Sequence, residues 1–126
     1  MAQQHSRIIP IYTSRGDAEA FLLYPYIYNR TGEWIGWATP QREVYSVMGY
    51  FVGTLTGDPR IVRKRSEDAD KPRQNPPRSP GRITTPAQVP LAPLMQELTH
   101  SLIDVLAEEP ERLHTLDSGD LREDMD

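Results

Sequence analysis

The chain has 126 residues, a net charge of −4 and no cysteine. This length allows one small domain with appendages, and the lack of cysteine excludes disulfides and thiolate metal sites. Residues 1–6 are polar, and no apolar run approaches the roughly 20 residues of a membrane span. We therefore expect neither a secretory signal nor a transmembrane segment, and a cytoplasmic location.

Charge and aromatic residues divide the chain into three parts. Residues 1–62 hold five acidic and five basic residues, residues 63–90 three acidic and seven basic, and residues 91–126 ten acidic and two basic. All ten aromatic residues lie between Tyr12 and Phe51. The folding core is therefore expected in the first half of the chain, followed by a basic segment and an acidic one.

A pattern repeated every 16 to 17 residues dominates the first half. A tyrosine, a glycine four residues later and a small residue four residues after that begin at Tyr12, Tyr28 and Tyr45. Each copy predicts a β-hairpin, because a β-branched residue precedes the tyrosine, the glycine suits a turn, and an apolar strand follows. The second small residue (Ala20, Gly36, Gly53) lies inside the return strand, where glycine marks a bend or a close backbone approach.

Successive hairpins of this kind predict an all-β head over residues 1–65, closed into a ring. The fourth unit is incomplete, because no further copy of the pattern follows Gly53. We predict that residues 7–9 pair with residues 60–63, so that strands from both ends close the ring and remove its exposed edges.

The repeated residues also resemble a known family. Residues 26–37, 44–53 and 58–65, with Trp34, Gly36, Gly49 and Gly53 in place, are similar to the bacterial four-fold β-flower domain. The resemblance covers roughly residues 6–65 and implies a small all-β module with pseudo-four-fold symmetry and without an established activity. Residues 44–53 also look like the start of a PRC-barrel, a family without a 16-residue repeat.

The basic segment is rich in proline. Residues 66–90 hold six prolines and few apolar residues, which predicts an extended linker, partly in the polyproline II form. Its basic residues are candidates for contact with nucleic acid or another anion. The basic run just before this linker is part of the same candidate surface and consists of Arg60, Arg63, Lys64 and Arg65.

The acidic segment has the one helical pattern of the chain. Apolar residues spaced three and four apart predict an amphipathic helix over residues 91–109, before an acidic tail at 110–126. The helix either folds back on the head or docks on another chain. The residues expected to bind a partner, or a second copy, are Leu91, Leu94, Met95, Leu98, Leu102, Val105 and Leu106.

The sequence predicts a binding protein rather than an enzyme. We expect no catalytic residues, metal or cofactor, since neighbouring helical residues such as His100 and Ser101 point in different directions. The function we expect is a non-enzymatic interaction or assembly module. The alternatives are a nucleic-acid-associated protein using the basic linker, and a small-ligand site at an aromatic platform of Tyr26, Trp37 and Tyr50.

Overall fold

The computed structural model describes residues 7–66 and 71–117. Within them, eight antiparallel strands form one curled sheet in chain order. The strands are β1 (Ile9–Tyr12), β2 (Ala18–Leu23), β3 (Tyr26–Asn29), β4 (Trp34–Ala38), β5 (Glu43–Ser46), β6 (Phe51–Leu55), β7 (Ile61–Lys64) and β8 (Leu102–Asp104). A short helix, α1 (Val105–Glu108), and a single 3-10 turn, Pro110–Arg112, follow. The predicted fold class is confirmed.

Three successive hairpins have the same kind of tip, as the repeat predicts. We call residues 13–17, 29–33 and 46–50 the first, second and third tips. In each, the first residue donates its N–H to the carbonyl oxygen of the fifth at 2.8 Å, and its side-chain oxygen accepts the N–H of the third. The fourth residue is a glycine with φ between +87° and +92°, a conformation that strains other L residues.

A bulge recurs in the return strand of each hairpin. The pairing register skips Glu19, Ile35 and Val52, leaving each unpaired opposite its partner strand. Beside two bulges the backbones come close, because a Cβ on Gly36 would lie 2.6 Å from the Tyr45 carbonyl oxygen and one on Gly53 an equal distance from that of Val62. The predicted close approach at these glycines is confirmed, and the bulges increase the twist of the sheet.

The predicted pairing of residues 7–9 with residues 60–63 is wrong, and the fourth hairpin is formed by β7 and β8. β7 pairs with β8, a strand contributed by the chain after the proline-rich segment, and not with residues 7–9. Pro10 lies within β1 and has no N–H, which weakens the free edge of that strand as a pairing surface. Two hydrogen bonds bridge the ends of the sheet instead, from Tyr12 N–H to the Pro59 carbonyl oxygen at 3.0 Å and from Ser14 N–H to the Asp104 carboxylate at 2.6 Å.

The long helix predicted over residues 91–109 is wrong, and only Val105–Glu108 is α-helical. Residues 91–98 have no helix or strand, and 102–104 form β8. Pro93 lacks the N–H of a helical hydrogen bond, and an isolated helix of this length is marginal in water. The free edge of β7 offers the backbone of Leu102–Asp104 a ladder of hydrogen bonds, so the apolar spacing serves a strand and a core instead.

In its described part the proline-rich segment has neither helix nor strand, and it lies against the head. We call residues 71–100 the strap. Gln74 N–H donates to the Gly49 carbonyl oxygen at 2.9 Å, and Ile83 N–H donates to that of Gly32 at 3.0 Å. Ala92 reaches Gly16, with its Cβ 3.7 Å from where a glycine Cβ would stand. The strap therefore visits the third, second and first tips in turn, at positions nine residues apart.

The head has an inner core and a smaller outer cluster. The inner core includes Val105, Leu106 and Leu113, so the segment after β8 fills the inside of the curled sheet. Strap residue Ile83 packs on the outer cluster of Tyr28, Trp34 and Val47. The tyrosines of the repeat are buried, as expected for core residues. In the described part of the chain, no helix has the length and apolar character needed to cross a membrane.

We predict that Gly32→Ala loosens the strap. The change places an L side chain at φ +87° and its Cβ only 2.0 Å from the Ile83 carbonyl oxygen. Backbone strain of about 1–2 kcal/mol adds to roughly 1–3 kcal/mol for the displaced neighbour. Urea unfolding followed by tryptophan fluorescence measures the loss. Gly16→Ala is the matched control, because it has the same strain but its Cβ would make only an ordinary contact, 3.7 Å from the Ala92 Cβ. Equal losses would contradict the seating of the strap.

Candidate functional site

The strap repeats its contacts with period nine, and the third repeat breaks the pattern. Position 73 is an arginine whose guanidinium lies 5.6 Å from the ring centroid of Tyr50 on the third tip. Position 82 is an arginine that donates to the Thr31 carbonyl oxygen on the second tip at 3.0 Å. Position 91 is a leucine with 95% of its surface exposed. Leu91 therefore contributes no such anchor to the first tip.

The position three residues further along shows the same departure. Thr85 donates its hydroxyl to the Arg30 carbonyl oxygen at 3.1 Å, and the equivalent Pro76 is half-buried. Leu94 stands at the third position and is fully exposed, at 103% of the reference surface. We name Pro90, Leu91, Pro93 and Leu94 the leucine ridge.

The backbone beneath the leucine ridge is held on the head. The Tyr12 hydroxyl donates to the Pro90 carbonyl oxygen at 2.8 Å, and Ala92 rests at Gly16. The two leucines therefore project from a segment whose main chain is already positioned. Leucines that are this fully exposed forgo the roughly 1.5–3 kcal/mol that the burial of each would contribute.

The residues predicted to bind a partner through a helix fall into separate environments. Leu91 and Leu94 are on the leucine ridge, whereas Met95 and Leu98 are half-buried at the end of the strap. Leu102 belongs to β8. Val105 and Leu106 are buried in the inner core, so they are structural parts of the head and cannot form one docking face with the leucines of the ridge.

The predicted aromatic platform is only partly assembled. Tyr26 and Trp37 are cross-strand partners, and Trp37 stacks on Tyr45 with ring centroids 5.0 Å apart. Tyr26 and Trp37 are both half-buried. Tyr50 lies on the third tip and is 59% exposed, with the Arg73 guanidinium over its ring. These rings pack the outer surface of the head and anchor the strap.

Two of the four basic residues at positions 60–65 are buried in the head. Arg60 and Arg63 are buried, against the prediction that they contact an anion. Arg60 pairs with Asp58 at 2.7 Å, and Arg63 pairs with Glu109 at 2.6 Å. A buried cation is stabilised only beside its counter-ion, so these two arginines are fixed in place.

The other two cations of the run lie at the surface. Arg65 forms a longer pair with Glu108 at 3.4 Å, and Lys64 is exposed. The nucleic-acid alternative therefore retains half of its named contacts in accessible positions. No group of three or more metal-ligating side chains is arranged to hold a metal ion within residues 7–66 and 71–117.

The similarity to a known family covers the hairpins and the strap. The family model described as "4-fold beta flower protein" matches residues 9–100, which include the three hairpins, β7 and the strap. The chain belongs to the four-fold β-flower family. No curated protein and no solved structure matches the chain. The β-flower match extends beyond the hairpin repeat, in agreement with a strap that is part of the folded unit.

Sequence reasoning missed the leucine ridge as an extended surface, although the signal was present. Arg73 and Arg82 are nine residues apart, and Leu91 follows at the same interval. This second period, shorter than that of the hairpins, indicates a segment that meets the same repeated unit in extended form. The helical spacing of the leucines concealed it.

The Arg60–Asp58 pair predicts a pH dependence of stability in this β-flower protein. Burial raises the pKa of Asp58, but hydrogen bonds from Arg60 and Thr56 outweigh it and hold the pKa below the ordinary value of 3.8. Because the folded-state pKa is the lower one, the stabilisation is complete above about pH 4 and is lost as the pH falls through the folded-state pKa.

Asp58→Asn should lower the free energy of unfolding at pH 7 by about 3 kcal/mol, since it leaves Arg60 buried without its counter-ion. The variant should also lose less stability than the wild type between pH 4 and 2. Urea unfolding across that range tests both effects. Glu97→Gln removes an exposed carboxylate as a charge control, and parallel curves for wild type and Asp58→Asn would contradict the assignment.

Proposed function

We propose that this β-flower protein is a non-enzymatic protein-binding module and that the leucine ridge is its contact surface. The observation that supports the proposal is the break in the strap repeat. Two repeats use the equivalent positions to hold the strap, whereas the third places Leu91 and Leu94 fully in solvent. Side chains released from a holding role and left apolar are suited to contact with another molecule.

The partner that fits the leucine ridge is a protein groove lined by aromatic side chains. Pro90 and Pro93 are spaced three apart, the period of a polyproline II helix, and each is followed by an exposed leucine. Aromatic grooves bind such extended segments through proline rings and the apolar side chains beside them. The bond from Tyr12 to Pro90 orders the backbone in advance, which lowers the entropy cost of binding.

The acidic composition of the segment that contains Leu91 and Leu94 argues against a lipid surface as the partner. Residues 91–126 hold ten acidic and two basic residues, and anionic membranes attract basic segments. The absence of an enzymatic role is also part of the proposal. It is supported by the exposed His100 and by the use of the two buried arginines, in the pairs Arg60–Asp58 and Arg63–Glu109, as supports of the head.

We predict that Leu91→Asp combined with Leu94→Asp weakens partner binding about 100-fold or more, because each buried leucine contributes roughly 1.5–3 kcal/mol. The thermal midpoint should stay unchanged, since neither side chain packs on the head. A photocrosslinking residue at position 91 or 94 of the full chain identifies the partner, which is then purified and titrated. Gln88→Asp, a charge at another exposed strap position, is the matched control and should bind normally.

A peptide of residues 88–96 tests the polyproline II geometry directly. It should compete for the purified partner, and replacing both prolines with alanine should abolish the competition. Unchanged binding by the double aspartate variant would contradict the proposal. So would crosslinks formed only to a second copy of the chain or only to lipid.

A further inference from the structure

The ring of hairpins has a seam where its two ends meet. Neighbouring hairpins are joined by strand pairing between β2 and β3, β4 and β5, and β6 and β7. In the described residues, β8 and β1 are not paired. A cavity of about 390 Å³ lies at this seam, between the first tip, the end of the strap and β8, within the range of about 300–1,000 Å³ typical of small-ligand sites.

The fourth hairpin has a carboxylate at the seam where two others have an aromatic ring. The pairing register places Trp34, Phe51 and Asp104 at equivalent positions of the second, third and fourth hairpins. Asp104 borders the cavity and is only 4% exposed. Leaving the symmetric pattern for a buried charge is costly, which points to a role beyond packing.

The carboxylate of Asp104 is only half satisfied. Its Oδ2 accepts the Ser14 N–H at 2.6 Å. Its Oδ1 is buried and has no hydrogen-bond partner among the described residues. A buried acceptor without a donor costs about 1–3 kcal/mol, so a bound molecule that turned this carboxylate toward the cavity and donated to it would be stabilising.

Two of the three arginines around the cavity are already compensated. Arg60 binds Asp58 and also donates to Ser14 and the strap backbone. Arg65 pairs with Glu108, whose other carboxylate oxygen accepts the Asp104 N–H at 3.1 Å. These pairs cancel in charge and leave the remaining groups to select a ligand.

The uncompensated groups are of both signs. Arg15 lies on the first tip with an exposed side chain that no described residue binds, and Asp104 lies at the base. Exposed Glu97 and His100 stand on the strap side of the cavity. The rest of the lining combines the polar residues Ser14, Gln96 and Thr99 with an apolar patch of Met95, Leu98, Leu102 and Ala107.

We infer that the seam cavity binds a free α-amino acid with an apolar side chain. The ammonium group supplies the donor that Asp104 lacks, the carboxylate pairs with Arg15, and the side chain lies against the apolar patch. A simple anion would be repelled by Asp104 and a simple cation by Arg15, whereas a zwitterion satisfies both. The inference uses none of the residues of the leucine ridge and is independent of the function proposed above.

Calorimetric titration of the full chain with L-leucine tests this site, with L-methionine as a second probe. Leucine should bind and raise the thermal midpoint. Leucinamide, which lacks the carboxylate, and 4-methylpentanoate, which lacks the ammonium group, should each bind at least about 10-fold more weakly, the loss expected for one charged contact. Equal binding by either analogue, or no binding of both amino acids at millimolar concentration, would overturn the inference.

Two substitutions locate the site. Asp104→Asn keeps an oxygen to accept the Ser14 N–H but loses the charge, and Arg15→Gln removes the other charge from an exposed position. Both should lose leucine binding by 10-fold or more, and the double aspartate variant of the ridge should retain it. Unchanged leucine binding by Arg15→Gln would overturn the proposed pose, and if Asp104→Asn fails to fold, the two analogues still test the ammonium contact.

Discussion

The close approach of the strap to the hairpin tips is the constraint on which the rest of the structure depends. At Gly32 and Gly49 a carbonyl oxygen of the strap stands 2.0 Å from where a Cβ would be. A glycine at these positions therefore serves both the turn and the seat of the strap. Because the strap is held there, β8 is delivered to the edge of β7 and Val105 enters the inner core.

Pseudo-symmetry makes the exceptions informative. Three tips repeat one set of hydrogen bonds, and two strap repeats use an arginine to hold their tip. Leu91 and Asp104 leave these patterns in opposite ways, since one exposes an apolar side chain and the other buries a charge. Leu91 makes no contact that holds the ring, and Asp104 uses only one of its two carboxylate oxygens to bridge the seam, so each departure is a sound starting point for a binding hypothesis.

The segment after the strap completes the small head of this protein. About 60 residues of hairpins bury little surface on their own. Residues beyond position 100 supply the last strand and part of the inner core, including Leu106 and Leu113. The unit that folds is therefore larger than the repeat, and a protein cut after the repeat would lose core residues as well as a strand.

The sequence by itself determined the hairpins, since a turn glycine and alternating apolar residues act locally, and it indicated the burial of Tyr28 and its equivalents. Tertiary structure decided the rest. The spacing of Leu98, Leu102 and Val105 fits a helix, yet the free edge of β7 offered that backbone hydrogen bonds that a solitary helix could not match. Exposure of Leu91 and burial of Arg60 likewise depend on which surfaces meet, because contacts distant along the chain, and not local preference, settle which side chains remain in water.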